Sequence, residues 1–94
     1  MDLIPIRETG PHRDGTLNTD YRSIVAKIGQ PNVTDLDDPD KVKAAWGFED
    51  ENGNKGFIWC YRWWGSVYKC PEWSIHGIDL IIKIFGNDVV VDER

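Results

Sequence analysis

Two stretches of this chain place apolar residues at i, i+3, i+4 and i+7, the spacing that lays one stripe along a helix. Tyr21, Ile24, Val25 and Ile28 form the first stripe, and Ile78, Ile81, Ile82 and Phe85 form the second. A glycine follows each, Gly29 or Gly86, suited to end a helix, and Pro31 prevents the first from continuing. Thr19 or Asp20 supplies that first helix with an N-cap.

Between the stripes the period changes to two. Val42, Ala44, Trp46 and Phe48 alternate with Lys43, Ala45, Gly47 and Glu49; Phe57, Trp59, Tyr61 and Trp63 alternate with Ile58, Cys60 and Arg62. This pattern predicts two strands, and Asn52-Gly53 between them predicts a hairpin turn, because Asn-Gly accepts the positive φ such turns require. A third short strand is expected near Glu72 to His76, with Trp73 and Ile75 on one face, and a last one at Val89 to Val91. Leu3, Ile4 and Ile6 suit a short edge strand, where Pro5 and its missing N–H are tolerated. Gly10-Pro11 and Asp14-Gly15 mark turns.

Residues 1–18 therefore read as a loosely organised N-terminal segment and 19–91 as the core of one domain spanning 1–94. The expected fold class is α+β: a small single domain with an antiparallel three- to four-stranded sheet and two helices on one face, in α-β-β-β-α order. Both stripes need that shared face to be buried.

Composition narrows the classes further. The 94 residues suffice for one domain. No apolar run approaches the ~20 residues that span a bilayer, since Ile78 to Phe85 already carries Asp79 and Lys83. The first seven residues show neither the basic region nor the apolar stretch of a signal peptide, so a cytoplasmic location is expected. In that compartment Cys60 is expected to act as a small buried hydrophobe. A Cys60–Cys70 disulfide, which would close the loop holding Trp63 and Trp64, is disfavoured there.

The net charge of −5 is concentrated. Residues 1–33 and 52–94 are each neutral, whereas residues 34–51 hold Asp35, Asp37, Asp38, Asp40, Glu49, Asp50 and Glu51 against Lys41 and Lys43. An acidic chain disfavours generic binding to nucleic acid or anionic membrane, and a localised acidic face favours a basic partner surface. Five Trp, three Tyr and three Phe exceed what so small a core needs. One sheet face is expected to take Trp46, Phe48, Phe57, Trp59 and Tyr61 as core. Trp63, Trp64, Tyr68 and Trp73 remain. Adjacent Trp63 and Trp64 point to opposite faces of a strand, and a half-exposed Trp beside Arg62 and Tyr68 has the composition of a binding hot spot.

Catalytic chemistry finds little support. Cys60, Cys70, His12 and His76 lack zinc-site spacing. Neither Asp35 to Asp40 nor Asp50 to Asn54 has the glycine and terminal glutamate of an EF-hand loop. No nucleophile elbow or phosphate-cradling loop is present. No catalytic residue, metal ligand or cofactor is assigned, and the chain is expected not to be an enzyme.

Ile28-Gly29-Gln30-Pro31, then Asp38-Pro39-Asp40-Lys41-Val42, Trp46-Gly47-Phe48, the Asn-Gly hairpin returning through Ile58-Trp59-Cys60-Tyr61, Trp73-Ser74-Ile75-His76-Gly77 and Phe85-Gly86 follow in an order with a counterpart. Over residues 20–86 this arrangement resembles small uncharacterised proteins encoded by tailed bacteriophages. The resemblance implies a viral protein made in a bacterial cytoplasm, and by analogy an inhibitor of a host enzyme or defence system.

The leading expectation is thus a non-enzymatic protein-binding module. Asp35, Asp37, Asp38, Asp40, Glu49, Asp50 and Glu51 would meet a host protein with a basic surface, and Trp63, Trp64 and Tyr68 would anchor it. Two alternatives stand beside it: a homodimer or larger homo-oligomer through the same aromatics, and single-stranded nucleic-acid binding over the thin basic track of Lys55, Arg62 and Lys69.

Overall fold

A computed structural model describes residues 2–6, 12–32, 42–61 and 65–94. Its six strands are β1 (Ile4–Pro5), β2 (Gly15–Leu17), β3 (Val42–Glu49), β4 (Lys55–Tyr61), β5 (Trp73–His76) and β6 (Val90–Asp92). Its helices are α1 (Tyr21–Ile28) and α2 (Ile78–Phe85), with single 3-10 turns at Val67–Lys69 and Asn87–Val89. The strands form one antiparallel sheet in the order β1-β3-β4-β5-β2-β6.

Both helices fall where the stripes place them. Asp20 caps α1 by accepting from the Ser23 N–H at 2.7 Å, and Gly29 closes it at φ 91°. Gly86 closes α2 at φ 94°. Ile24 of α1 and Ile78, Leu80 and Ile81 of α2 join Leu17, Trp46, Ile58, Trp73 and Ile75 in one buried cluster, so both helices cover the same sheet face. Burying each such side chain contributes about 1.5–3 kcal/mol relative to exposure.

The strand count corrects the expected three to four, and the order begins with two strands ahead of α1. Gly15–Leu17, read from sequence as part of a turn in a loose segment, is an interior strand between β5 and β6, buried at all three positions. Leu17 is fully buried. Gly15 is required there by space: a Cβ would lie 2.6 Å from Val91 O and 2.8 Å from Ile78 Cδ1. Three residues including a glycine are too few for an alternation to show.

The phase of β4 is a second correction. Trp46 pairs with Ile58 and Phe48 with Gly56, so Ile58 and Cys60 point into the core beside Trp46 and Phe48, and Phe57 and Trp59 occupy the opposite face. The aromatic set expected on one face is divided between two. Turn length causes this. Asp50 N–H donates to Asn54 O at 2.9 Å, which sets Glu49 opposite Lys55 and fixes the pairs as far as Ala45 and Trp59, beyond which the register shifts before Val42. Gly56 then lies under the Phe48 ring, where a Cβ would be 2.5 Å from Phe48 Cε2.

The outer side of β3 is covered by backbone and by one amide. After β1, Ile6 N–H donates to Gly47 O at 3.0 Å. Asn32 then mimics a strand residue: its Oδ1 accepts from Gly47 N–H, and its Nδ2 donates to Ile6 O and Gly47 O, each at 3.0 Å. Satisfying these groups blunts an edge that would otherwise be open to pairing.

Candidate interaction surface

The described part of the aromatic surplus forms a stack from core to surface. Trp46 and Trp73 are buried and meet edge to face, with ring centroids 5.4 Å apart and planes at 74°. Tyr21 of α1 lies over both, 5.8 Å from Trp46 and 6.4 Å from Trp73. Tyr68, on the 3-10 turn, stands edge-on to Tyr21 at 5.1 Å and is 59% exposed. Above it the Arg22 guanidinium carbon lies 5.8 Å from the ring centroid.

The backbone holds this stack in place. Trp46 Nε1–H donates to Gly29 O at 2.8 Å, and Trp73 Nε1–H donates to Thr19 O at 3.0 Å. One indole thus grips each end of α1. The Tyr21 hydroxyl donates to Gln30 Oε1, and Ser66 Oγ accepts from Tyr68 N–H at 3.2 Å to start the 3-10 turn. An exposed Tyr held this way loses little rotamer freedom when a partner covers it.

The predicted acidic residues do not form one surface. Asp35, Asp37, Asp38 and Asp40, with Trp63 and Trp64, lie outside the described residues. Val42, where the acidic connector rejoins the sheet, pairs with Tyr61, after which the Trp63-Trp64 segment begins. Both segments therefore attach at the same end of the hairpin, the end from which the loop carrying Tyr68 leaves. Glu49, Asp50 and Glu51 sit at the other end of β3, about 23 Å away at ~3.3 Å per residue.

At that far end the charge is partly balanced. Glu49 stands opposite Lys55 in the hairpin register, which puts a positive residue beside a negative one. Asp50, expected to face a partner, is only 4% exposed and turns inward. Its carboxylate accepts from Asn52 N–H at 2.9 Å, Asn54 N–H at 2.8 Å and Asn54 Nδ2 at 3.0 Å. The Asn54 side-chain bond is the first of the effects that hold its pKa below the usual carboxylate value; the Lys83 charge is a smaller one. Asp50 builds the turn, and Glu51 is the exposed acid of the tip.

A second group of polar residues, unsuspected from sequence, gathers beside the tip. Gly77 precedes α2 at φ 80° and offers no capping side chain. Asp14 supplies one from 63 residues away: its Oδ2 accepts from Gly77 N–H at 3.0 Å and Ile78 N–H at 3.4 Å. His76 Nδ1 donates to His12 O at 2.6 Å, since a carbonyl oxygen only accepts, and lies 3.9 Å from Asp14 Oδ2. An open cleft of about 370 Å³ adjoins them, lined with mixed charge from Asp14, Asp79, Lys55, Lys83 and Arg94. Among the described residues, no three His, Cys, Asp or Glu side chains converge as a metal site.

Searches against known protein families, characterised proteins and solved structures returned no match for this chain. Among the described residues, no helix is long and apolar enough to cross a membrane.

Proposed function

We propose that this protein is a non-enzymatic binding module that presents one end of its sheet to another protein. The observation that carries the proposal is Tyr68, 59% exposed yet held edge-on against Tyr21 and under Arg22. An exposed, prepositioned Tyr with an adjacent Arg has the chemistry of an interface anchor. Val42 and Tyr61 pair at this same end, and in the sequence the acidic run Asp35–Asp40 precedes the one while Trp63-Trp64 follows the other. A partner with a basic surface fits this combination. In its sharper form, supported by the resemblance to phage proteins alone, the chain is a phage-encoded inhibitor of a host defence or nucleic-acid-handling protein.

The test is capture from nuclease-treated bacterial lysate on immobilised protein, comparing wild type with Tyr68→Ala and with Asp37→Lys/Asp38→Lys. A stoichiometric partner held by wild type, eluted by salt and lost from both variants is the expected result. Equal retention on all three, or none on well-folded wild type, contradicts the proposal.

A further inference from the structure

The core contains one pair of neighbouring thiols that the binding proposal does not use. Cys60 is fully buried and Cys70 is 3% exposed, both are thiols, and their Sγ atoms are 3.5 Å apart. The fold brings them together from two sides. Strand β4 aims Cys60 inward beside Ile58, and the turn after Val67–Lys69, closed by Cys70 N–H donating to Val67 O, carries Cys70 back over it. Cys60 S–H points at Cys70 Sγ, and Cys70 S–H donates to Glu72 O at 3.0 Å. A disulfide has an S–S length of about 2.05 Å, so the sulfurs need approach by only about 1.5 Å.

We propose that Cys60 and Cys70 form a dithiol modification site that oxidises to an intramolecular disulfide. The bond joins β4 to the residue that follows the Val67–Lys69 turn, closing a covalent ring whose sequence includes Trp63, Trp64 and Tyr68. The oxidant is a small-molecule disulfide such as oxidised glutathione. The Cys70 thiolate, flanked by the exposed Lys69, Pro71 and Glu72, attacks one glutathione sulfur and expels the other half as a thiolate. The Cys60 thiolate then attacks Cys70 Sγ and expels the second glutathione thiolate. The two thiol protons finish on the two glutathiones; the protein is oxidised by two electrons and the reagent reduced by two. This site does not depend on partner binding, and its test needs no partner.

The full chain is equilibrated in glutathione redox buffers, starting from both the reduced and the oxidised side until the two agree. It is then quenched, alkylated in denaturant, weighed intact and digested with trypsin. The expected product is a monomer lighter by two hydrogens, in which the peptide 56–62 is linked to 70–83. Half-oxidation is expected at a glutathione ratio at least roughly tenfold more reducing in native buffer than in concentrated urea, because the fold holds the sulfurs together. Cys60→Ser is expected to give only a glutathione adduct. Two thiols that stay alkylatable in native buffer, adducts on both cysteines without a link, or a midpoint no more reducing than in urea would each overturn the proposal.

Discussion

Trp46 and Trp73 touch edge to face at 5.4 Å, and each donates its indole N–H to a carbonyl at an opposite end of α1. The pair therefore does two jobs. It fills the core between sheet and helix, and it fixes the helix whose Tyr21 supports Tyr68. Core packing and the presentation of the surface patch are consequences of one arrangement.

Replacing Trp73 by Phe keeps much of the packing and removes the donor to Thr19 O. Leaving that carbonyl unpaired costs about 1–3 kcal/mol, which lowers the melting temperature by roughly 10 °C in a domain of this size. Trp46→Phe is expected to act likewise at Gly29 O. The coupling energy of the rings themselves, expected at about 0.5–1.5 kcal/mol for an aromatic pair, comes from thermal unfolding of Trp46→Leu, Trp73→Leu and the double variant, which remove the rings. Strict additivity contradicts the paired role.

Asp14 caps a helix 63 residues away. Asp14→Ala is expected to destabilise the fold by about 0.5–2 kcal/mol. It should also speed amide exchange at Gly77 and Ile78 more than elsewhere in α2. Uniform acceleration along the helix argues against the capping role.

Gly15 and Gly53 separate space from conformation. Gly15→Ala forces a Cβ against Val91 O and Ile78 Cδ1 and is expected to cost about 1–3 kcal/mol through overpacking. Gly53 has φ 83° and open surroundings, so Gly53→Ala bears only backbone strain of about 1–2 kcal/mol. Chemical denaturation ranks the two. The larger loss at Gly53 would contradict the interior placement of β2.

Acid should weaken the fold through three carboxylates. Asp20, Asp50 and Asp92 have folded pKa values below the ordinary carboxylate value, Asp92 at about 2 through its hydrogen bonds with Arg94. A depressed folded pKa gives stability that is present above the unfolded value of about 3.9 and lost as pH falls through the folded one. Stability is thus expected to fall from about pH 4 toward pH 2. Asp50→Asn should be less stable at neutral pH and show a shallower acid slope. An unchanged slope contradicts the assigned role of Asp50 in the turn.

Legibility in the sequence followed the distance over which each feature is determined. Tyr21, Ile24, Val25, Ile28 and Gly29 specify α1 within one segment, and α2 is written the same way. In β4 both alternating sets are apolar, Phe57, Trp59 and Tyr61 against Ile58 and Cys60, so hydrophobicity leaves the phase open and the length of the turn decides it. Asp50 counts as surface charge until the backbone N–H groups of Asn52 and Asn54 capture it. Asp14 reads as a turn residue because its partners, Gly77 and Ile78, lie far along the chain. Composition singles out Tyr68 as a candidate, whereas its support by Tyr21 and Arg22 comes from packing between α1 and the 3-10 turn.

The end of the sheet bearing Tyr68 is the proposed protein-binding surface. Its most direct test is lysate capture on three immobilised proteins of equal thermal stability: wild type, Tyr68→Ala and Glu51→Lys. One stoichiometric, salt-eluted partner is expected on wild type and on Glu51→Lys, whose substitution lies beyond the opposite end of β3, and its loss is expected from Tyr68→Ala. Retention by Tyr68→Ala, with loss from Glu51→Lys, would place the interface at the hairpin tip and contradict it.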